Sequence, residues 1–251
     1  MMSTELTKKR DGNDFYSLLR DDIISLKLRP GVLFSTRELC EIYQVGRSPA
    51  REALIRLEQE GLITFLPQQG TMISLLDLKR IDNERYIRRS VEENIMKDFV
   101  GMFSPTIILR LEDMVQEQRA MMKKQDIRGF VDADDDFHHV FYKEIGREHC
   151  YRVIDKECCN YRRMRLLVQM VEPGMMAKTI DEHGALLSAV SVRDVDKVMS
   201  LFYLHLGQIK NQERKIIKRF SELFTESSDT GRKENHDLKA DFLVALRGQG
   251  M

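Results

Sequence analysis

The chain has no run of about 18 consecutive apolar residues, which excludes a helical membrane span. Its opening, MMSTELTKKRDGNDFY, carries no apolar stretch behind the basic residues, so no secretory leader is expected. The four cysteines, Cys40, Cys150, Cys158 and Cys159, show no CxxC spacing. That argues against a zinc finger and for reduced thiols in a cytoplasmic protein. Disulfide staples are not needed either, because 251 residues bury most of their unfolded surface. An excess of either charge is missing too, with 40 Lys and Arg against 40 Asp and Glu. A globally basic nucleic-acid binder is excluded; a local basic site is not. There is no phosphate-cradling glycine loop, no GxSxG and no internal repeat. What remains is 42% apolar and 32% charged, the balance of a soluble globular chain.

The few prolines divide the text. Pro30, Pro49 and Pro67 fall among short elements, whereas only Pro105 and Pro173 interrupt the long helical periodicity that begins near residue 78. This change predicts a small N-terminal domain over 1–76, an all-helical domain over 77–225 and a flexible tail over 226–251. The tail's DLKADFLVAL could form one short amphipathic helix. In the first domain, Phe15, Leu18, Leu19, Ile23 and Ile24 mark a helix that ends at Arg29-Pro30-Gly31. Ser35 and Glu38 have capping-box spacing before a second helix, whose buried side is Leu39, Ile42 and Tyr43. After Gln44-Val45-Gly46, Ser48 is expected as the cap and Pro49 as the first residue of a third helix, with Ala50, Ala53, Leu54 and Leu57 inward. Leu62–Leu66 and Thr71–Ser74, around Pro67-Gln68-Gln69-Gly70, read as a hairpin.

Three helices with a tight turn before the last, then a hairpin, are the pattern of a winged helix-turn-helix. In such a unit the last helix enters the major groove by its N-terminal end. Arg47 and Arg51 lie there and Arg37 opens the preceding helix, so all three can reach one surface. Arginine suits guanine edges and phosphates because its planar fork donates two parallel hydrogen bonds. Gly70 at the hairpin tip would let backbone approach a minor groove. Against this, residues 1–75 hold ten basic and ten acidic side chains, so the domain is formally neutral and would rely on a dimer. The string LRPGVLFSTRELCEIYQVGRSPAREALIRLEQEGLITFLPQQGTMIS resembles the DNA-binding domain of the GntR family of bacterial transcription regulators. That resemblance implies DNA contacts by Arg37, Arg47 and Arg51, assisted by Ser48 and Gly70. The family often has Ser or Thr where this chain has Gly46.

In the second half, helices are expected at about 78–101, 105–124, 127–146, 149–170, 176–191 and 194–224, enough for a bundle. Asp134 and His138 are four apart beside the Phe130, Phe137 and Phe141 stripe. Ile180, His183 and Leu187 share a face, as do Val198, Phe202, His205 and Ile209. One carboxylate and three imidazoles therefore point inward from three helices. A lone buried histidine is usually a satisfied core residue. Four convergent ionisable groups are better explained by a divalent cation, with Zn, Ni, Mn or Fe all suited to the ligands. His139, His149 and His236 are expected to stay outside the set.

"DFHHVFYKEIG" and "DEHGALLSAV" carry a resemblance to the FCD ligand-binding domain of the FadR subfamily of GntR regulators. It implies a metal at Asp134, His138, His183 and His205 that helps bind a small organic acid. It also implies that Arg88 pairs the acid's carboxylate, although Arg89 competes for the role and a surface arginine is the plainer reading. Arg163 and Arg165 are further neighbours of such a pocket. The expected protein is a mainly α, cytoplasmic homodimer. It would bind a palindromic DNA operator, respond to a small organic acid and have no membrane partner. Two rivals remain: a metal-dependent enzyme acting on a small carboxylate, and a regulator whose metal is purely structural.

Overall fold

The computed structural model describes residues 10–225. The expectations for residues 226–251, including the DLKADFLVAL helix and His236, lie outside the described residues. The chain divides into two compact units, one running to Leu76 and resuming at Glu222, the other Asp77–Ser221. The described residues 222–225 thus group with the first unit, four positions that the sequence reading assigns to the helical domain. No helix among the described residues is long and apolar enough to cross a membrane.

The first unit contains three helices and one small sheet. Helix α1 is Gly12–Ile24, capped by the Asp11 carboxylate, which accepts from the Asp14 amide at 2.8 Å. Strand β1 is Leu33–Phe34. Helix α2, Thr36–Tyr43, begins with the expected capping box: Glu38 N–H donates to Ser35 Oγ and Ser35 N–H donates to the Glu38 carboxylate. Helix α3 is Arg47–Gln59. Its cap is Gly46 and not Ser48, so Ser48 and Pro49 sit inside the first turn. Proline is tolerated there because those amides lack intrahelical partners in any case.

Strands β2, Ile63–Leu66, and β3, Gly70–Ile73, form the hairpin, and β1 pairs with β3 to give the antiparallel order β1-β3-β2. Phe15, Leu19, Ile23, Leu39, Ala50, Leu54 and Leu57 are buried together with Ile63 and Ile73. Asp22 is buried as well, accepting from the Tyr43 hydroxyl at 2.6 Å and from Lys27 Nζ at 3.1 Å. That link ties α1 to α2, and burial with the Asp22 carboxylate pushes the Tyr43 phenol well above its ordinary value.

Two-residue β1 was not legible, because a strand this short leaves no alternation to read. It explains Gly70. At φ +116° the residue lies in backbone space that side chains rarely adopt, and an added Cβ would fall 2.5 Å from the Phe34 carbonyl oxygen. Gly70 is therefore the first residue of β3 and not the tip, and the sheet itself requires it. Gly70→Ala is expected to destabilise this unit by about 2–3 kcal/mol in urea titration. An unchanged midpoint would show that β1 can move aside.

The second unit is a bundle. Helix α4 is Leu78–Met102, α5 Pro105–Lys124, α6 Ile127–Glu144, α7 Glu148–Glu157, α8 Cys159–Val171, α9 Met175–Ser191 and α10 Val195–Arg219. Helix α5 packs on α6 and α9, while α10 packs on α9, α4 and α8. Phe99 and Phe141 meet across α4 and α6 with ring centroids 4.9 Å apart. The single helix expected over 149–170 is broken at Cys158. The cause is Glu84 of α4, a buried carboxylate that accepts from the Tyr161 amide at 2.7 Å and from Asn160 Nδ2 at 3.3 Å. It satisfies an orphan amide of a new helix start, which no local pattern around Cys158 announces. Glu84→Ala should destabilise the bundle by about 2–3 kcal/mol, measured by urea unfolding, because those donors lose their buried acceptor.

Candidate metal centre and nucleic-acid interface

The metal set predicted from spacing comes together. One donor atom from each of Asp134, His138, His183 and His205 lies within 4.8 Å of the others, and the first three residues are buried. Helix α6 supplies Asp134 and His138 one turn apart, α9 supplies His183, and α10 supplies His205. Phe137 stacks on the His183 ring with centroids 4.1 Å apart and fixes its plane.

Each imidazole is held from behind. His183 Nδ1 is 2.8 Å from Gln118 Oε1, and Gln118 is oriented by donating to the Ala133 carbonyl at 3.3 Å. His205 Nδ1 is 3.0 Å from the Glu182 carboxylate, and His138 Nδ1 is 3.2 Å from Glu92 Oε2. An acceptor at Nδ1 of His183 and of His205 keeps the proton there and turns the Nε2 lone pair inward. The Nε2 atoms of His138 and His205 lie 3.2 Å apart. His183 Nε2 and Asp134 Oδ1, 3.3 Å apart, are buried without a hydrogen-bond partner. Four converging donors fit a cation, and nitrogen with carboxylate oxygen suits a divalent transition metal.

The electrostatics agree. Burial, then the neighbouring His205, pushes the His183 imidazole well below its ordinary value, so it is neutral and its lone pair is available. Burial alone would raise Asp134, but the Arg165 guanidinium overrides it and holds the carboxyl far below its usual range. Glu92 follows the same logic: burial pushes up, Arg88 and His138 pull down harder, and the group rests at about 2.

Arg88 is buried, donating from Nε to Glu92 at 2.8 Å, with Asp135 at 3.6 Å from its Nη1. It lines a small cavity of about 30 Å³ beside the donors, together with Arg165, Tyr161, Thr179 and Gln208. Arg89, the competing residue, instead pairs with Glu93 and lies over the exposed Tyr203 ring. Arg163 is fully buried in α8, donates to Asn160 and does not line the cavity. His139 stacks on Tyr151 and His149 is exposed, both outside the cluster as expected.

Sequence reasoning missed Glu92, Gln118 and Glu182. Gln118 had a signal: it continues the Leu111 and Val115 stripe at helical spacing as the one polar member, and it is fully buried. Glu92 and Glu182 looked like ordinary charged positions beside Arg88 and His183.

In the first unit, Arg37, Arg47 and Arg51 line one concavity of about 560 Å³ with Thr36, Leu54, Ile55 and Phe65. All three arginines are exposed, as is Ser48. Arg37 is engaged by Glu41 at 2.8 Å, which raises its pKa; Arg47 and Arg51 have no ion-pair partner among the described residues. Gly70 does not line the concavity.

A winged helix-turn-helix with three arginines on one face, in a chain that also holds a helical bundle, defines a DNA-binding transcription regulator. Residues 13–73 match the model of the bacterial regulatory proteins of the gntR family and residues 86–208 match that of the FCD domain, so the chain belongs to the FCD-containing branch of the GntR family. It is 27% identical over 227 residues to the HTH-type transcriptional repressor RspR of Escherichia coli K12, covering 90% of this chain and 99% of that one. It is 23% identical to the Nta operon transcriptional regulator of Aminobacter aminovorans, covering 84% and 98%. The solved structure of E. coli McbR/YncC shares the fold, with a TM-score of 0.68 at 16% identity, covering 83% of this chain and 98% of that one. Family and relatives are regulators, and the enzyme reading is set aside on that ground.

Proposed function

We propose that this regulator is a homodimer whose operator affinity is set by a small organic acid bound beside a divalent metal. Asp134, His138, His183 and His205 would hold the ion, which supplies open coordination positions for an acid's oxygens. Arg88 would pair the carboxylate, and Arg165 keeps Asp134 ionised. The observation that carries this reading is the convergence of donor atoms from Asp134, His138, His183 and His205 within 4.8 Å of one another, two of which, Asp134 Oδ1 and His183 Nε2, are buried without a hydrogen-bond partner. The cavity of about 30 Å³ holds little more than water, so an acid must displace side chains to enter. That displacement is the differential interaction through which a ligand can shift a conformational population.

In the first unit, Arg47 and Arg51 with Arg37 and Ser48 would read a half-site, two copies serving a palindrome. The domain limits 1–76 and 77–225 serve as working boundaries for these two roles, except that residues 222–225 group with the first, and Gly70 supports the wing. A cytoplasmic location follows from that role.

The reading is tested by fluorescence anisotropy on duplexes selected from a random pool by the whole protein. Binding is measured for metal-loaded and chelated protein across a panel of small carboxylates. At least one acid should change affinity severalfold, and only with metal present. A purely structural ion would leave every acid without effect on metal-loaded protein.

A further inference from the structure

Beyond the arginines, the concavity on the first unit contains two large apolar side chains. Ile55 is 42% exposed and Phe65 38% exposed, although the same unit buries Phe15, Phe34, Leu54 and Leu57 almost completely. Ile55 follows Arg47 and Arg51 at intervals of four along α3, so the three share one helix face. Phe65, from β2, lines the same concavity. A single exposed isoleucine needs no explanation. Two exposed apolar groups that line the same concavity as three arginines need one, because the arginines are complementary to a polyanion while the apolar groups cannot hydrogen-bond to one. Duplex DNA offers both partners at once: phosphates and guanine edges for the arginines, and the thymine C5-methyl as the apolar group in the major groove.

We infer that Ile55 is a specificity-determining residue that packs on a thymine methyl, with Phe65 walling the contact from the strand side. The inference rests on the DNA-reading role proposed for Arg47 and Arg51. It adds that each half-site contains a thymine read by shape alone, beyond the bases the arginines reach.

The test uses the full-length protein and a duplex it selects from a random pool. Each thymine is replaced singly by deoxyuridine, which removes only the methyl and keeps every hydrogen-bonding group. One position per half-site should lose about three- to tenfold in affinity with the wild-type protein. Ile55→Ala should bind the thymine duplex more weakly by a similar factor and should no longer distinguish thymine from uracil there. Ile55→Val, which keeps a branched methyl, should retain part of the discrimination. Because Ile55 is exposed, both variants should keep the wild-type circular dichroism spectrum. Deoxyuridine without effect at every position, or an effect that persists in Ile55→Ala, overturns the contact. Failure to enrich any duplex overturns the DNA-reading role itself, so the two failures are distinguishable.

Discussion

Protein stripped with a chelator is expected to lose about 10 °C from the thermal midpoint of its helical unit, and to regain it on adding Zn(II) or Ni(II). The size follows from linkage. An ion present at about a thousand times its dissociation constant stabilises by ~4 kcal/mol. In a chain of this size each kcal/mol moves the midpoint by roughly 2–4 °C. The direction follows from the cluster, where Asp134 Oδ1 and His183 Nε2 are buried and unpaired unless something binds between them. His183→Ala should reduce metal content, read by elemental analysis, from about one ion per chain to near zero. It should also loosen the packing against Phe137. His139→Ala, which removes a ring that stacks on Tyr151 outside the cluster, should keep its ion. Equal metal content in the two variants would mean that the four residues are not the ligands.

Arg47→Ala and Arg51→Ala should each weaken operator binding by about 1–3 kcal/mol per half-site, so a dimer on a palindrome could lose several kcal/mol. Arg37→Ala should have a smaller effect. Arg37 already donates to Glu41 and must give up part of that pair to reach DNA, whereas Arg47 and Arg51 are uncommitted. Glu41→Gln would then bring Arg37 closer to the other two in effect. The measurement is anisotropy at fixed salt, since phosphate contacts alone would show up in the salt slope and not in base preference. Wild-type affinity in both variants would refute the proposed orientation of α3.

Much of this was legible because the decisive residues obey short-range rules. The capping box of Ser35 and Glu38, the stripe of Ala50, Ala53, Leu54 and Leu57, and the inward spacing of His183 and His205 each follow from helix geometry alone. The errors lie where a distant residue decides. Cys158 breaks a helix because Glu84, far away in the chain, satisfies the next helix's amide. Gly70 looked like a tip made for a groove, but its constraint comes from Phe34 across the sheet. Glu92 was silent for the same reason: Arg88 one turn away makes it look like an ordinary helix pair, and its other partner, His138, stands on α6. The cap of α3 is an exception: it falls at Gly46, in extended backbone, although Ser48 has the better side chain.

The short segment after α10 has a consequence for how this protein can be dissected. Leu76 N–H donates to the Leu223 carbonyl at 2.9 Å, Thr225 N–H donates to the Leu76 carbonyl at 3.0 Å, and Leu76, Leu223 and Phe224 are all buried. In topological terms the bundle is an insertion, spliced into a polypeptide whose first unit includes the short segment that returns after it. A fragment severed at residue 76 would keep Arg37, Arg47 and Arg51 yet bare an oily notch where Leu223 and Phe224 belong.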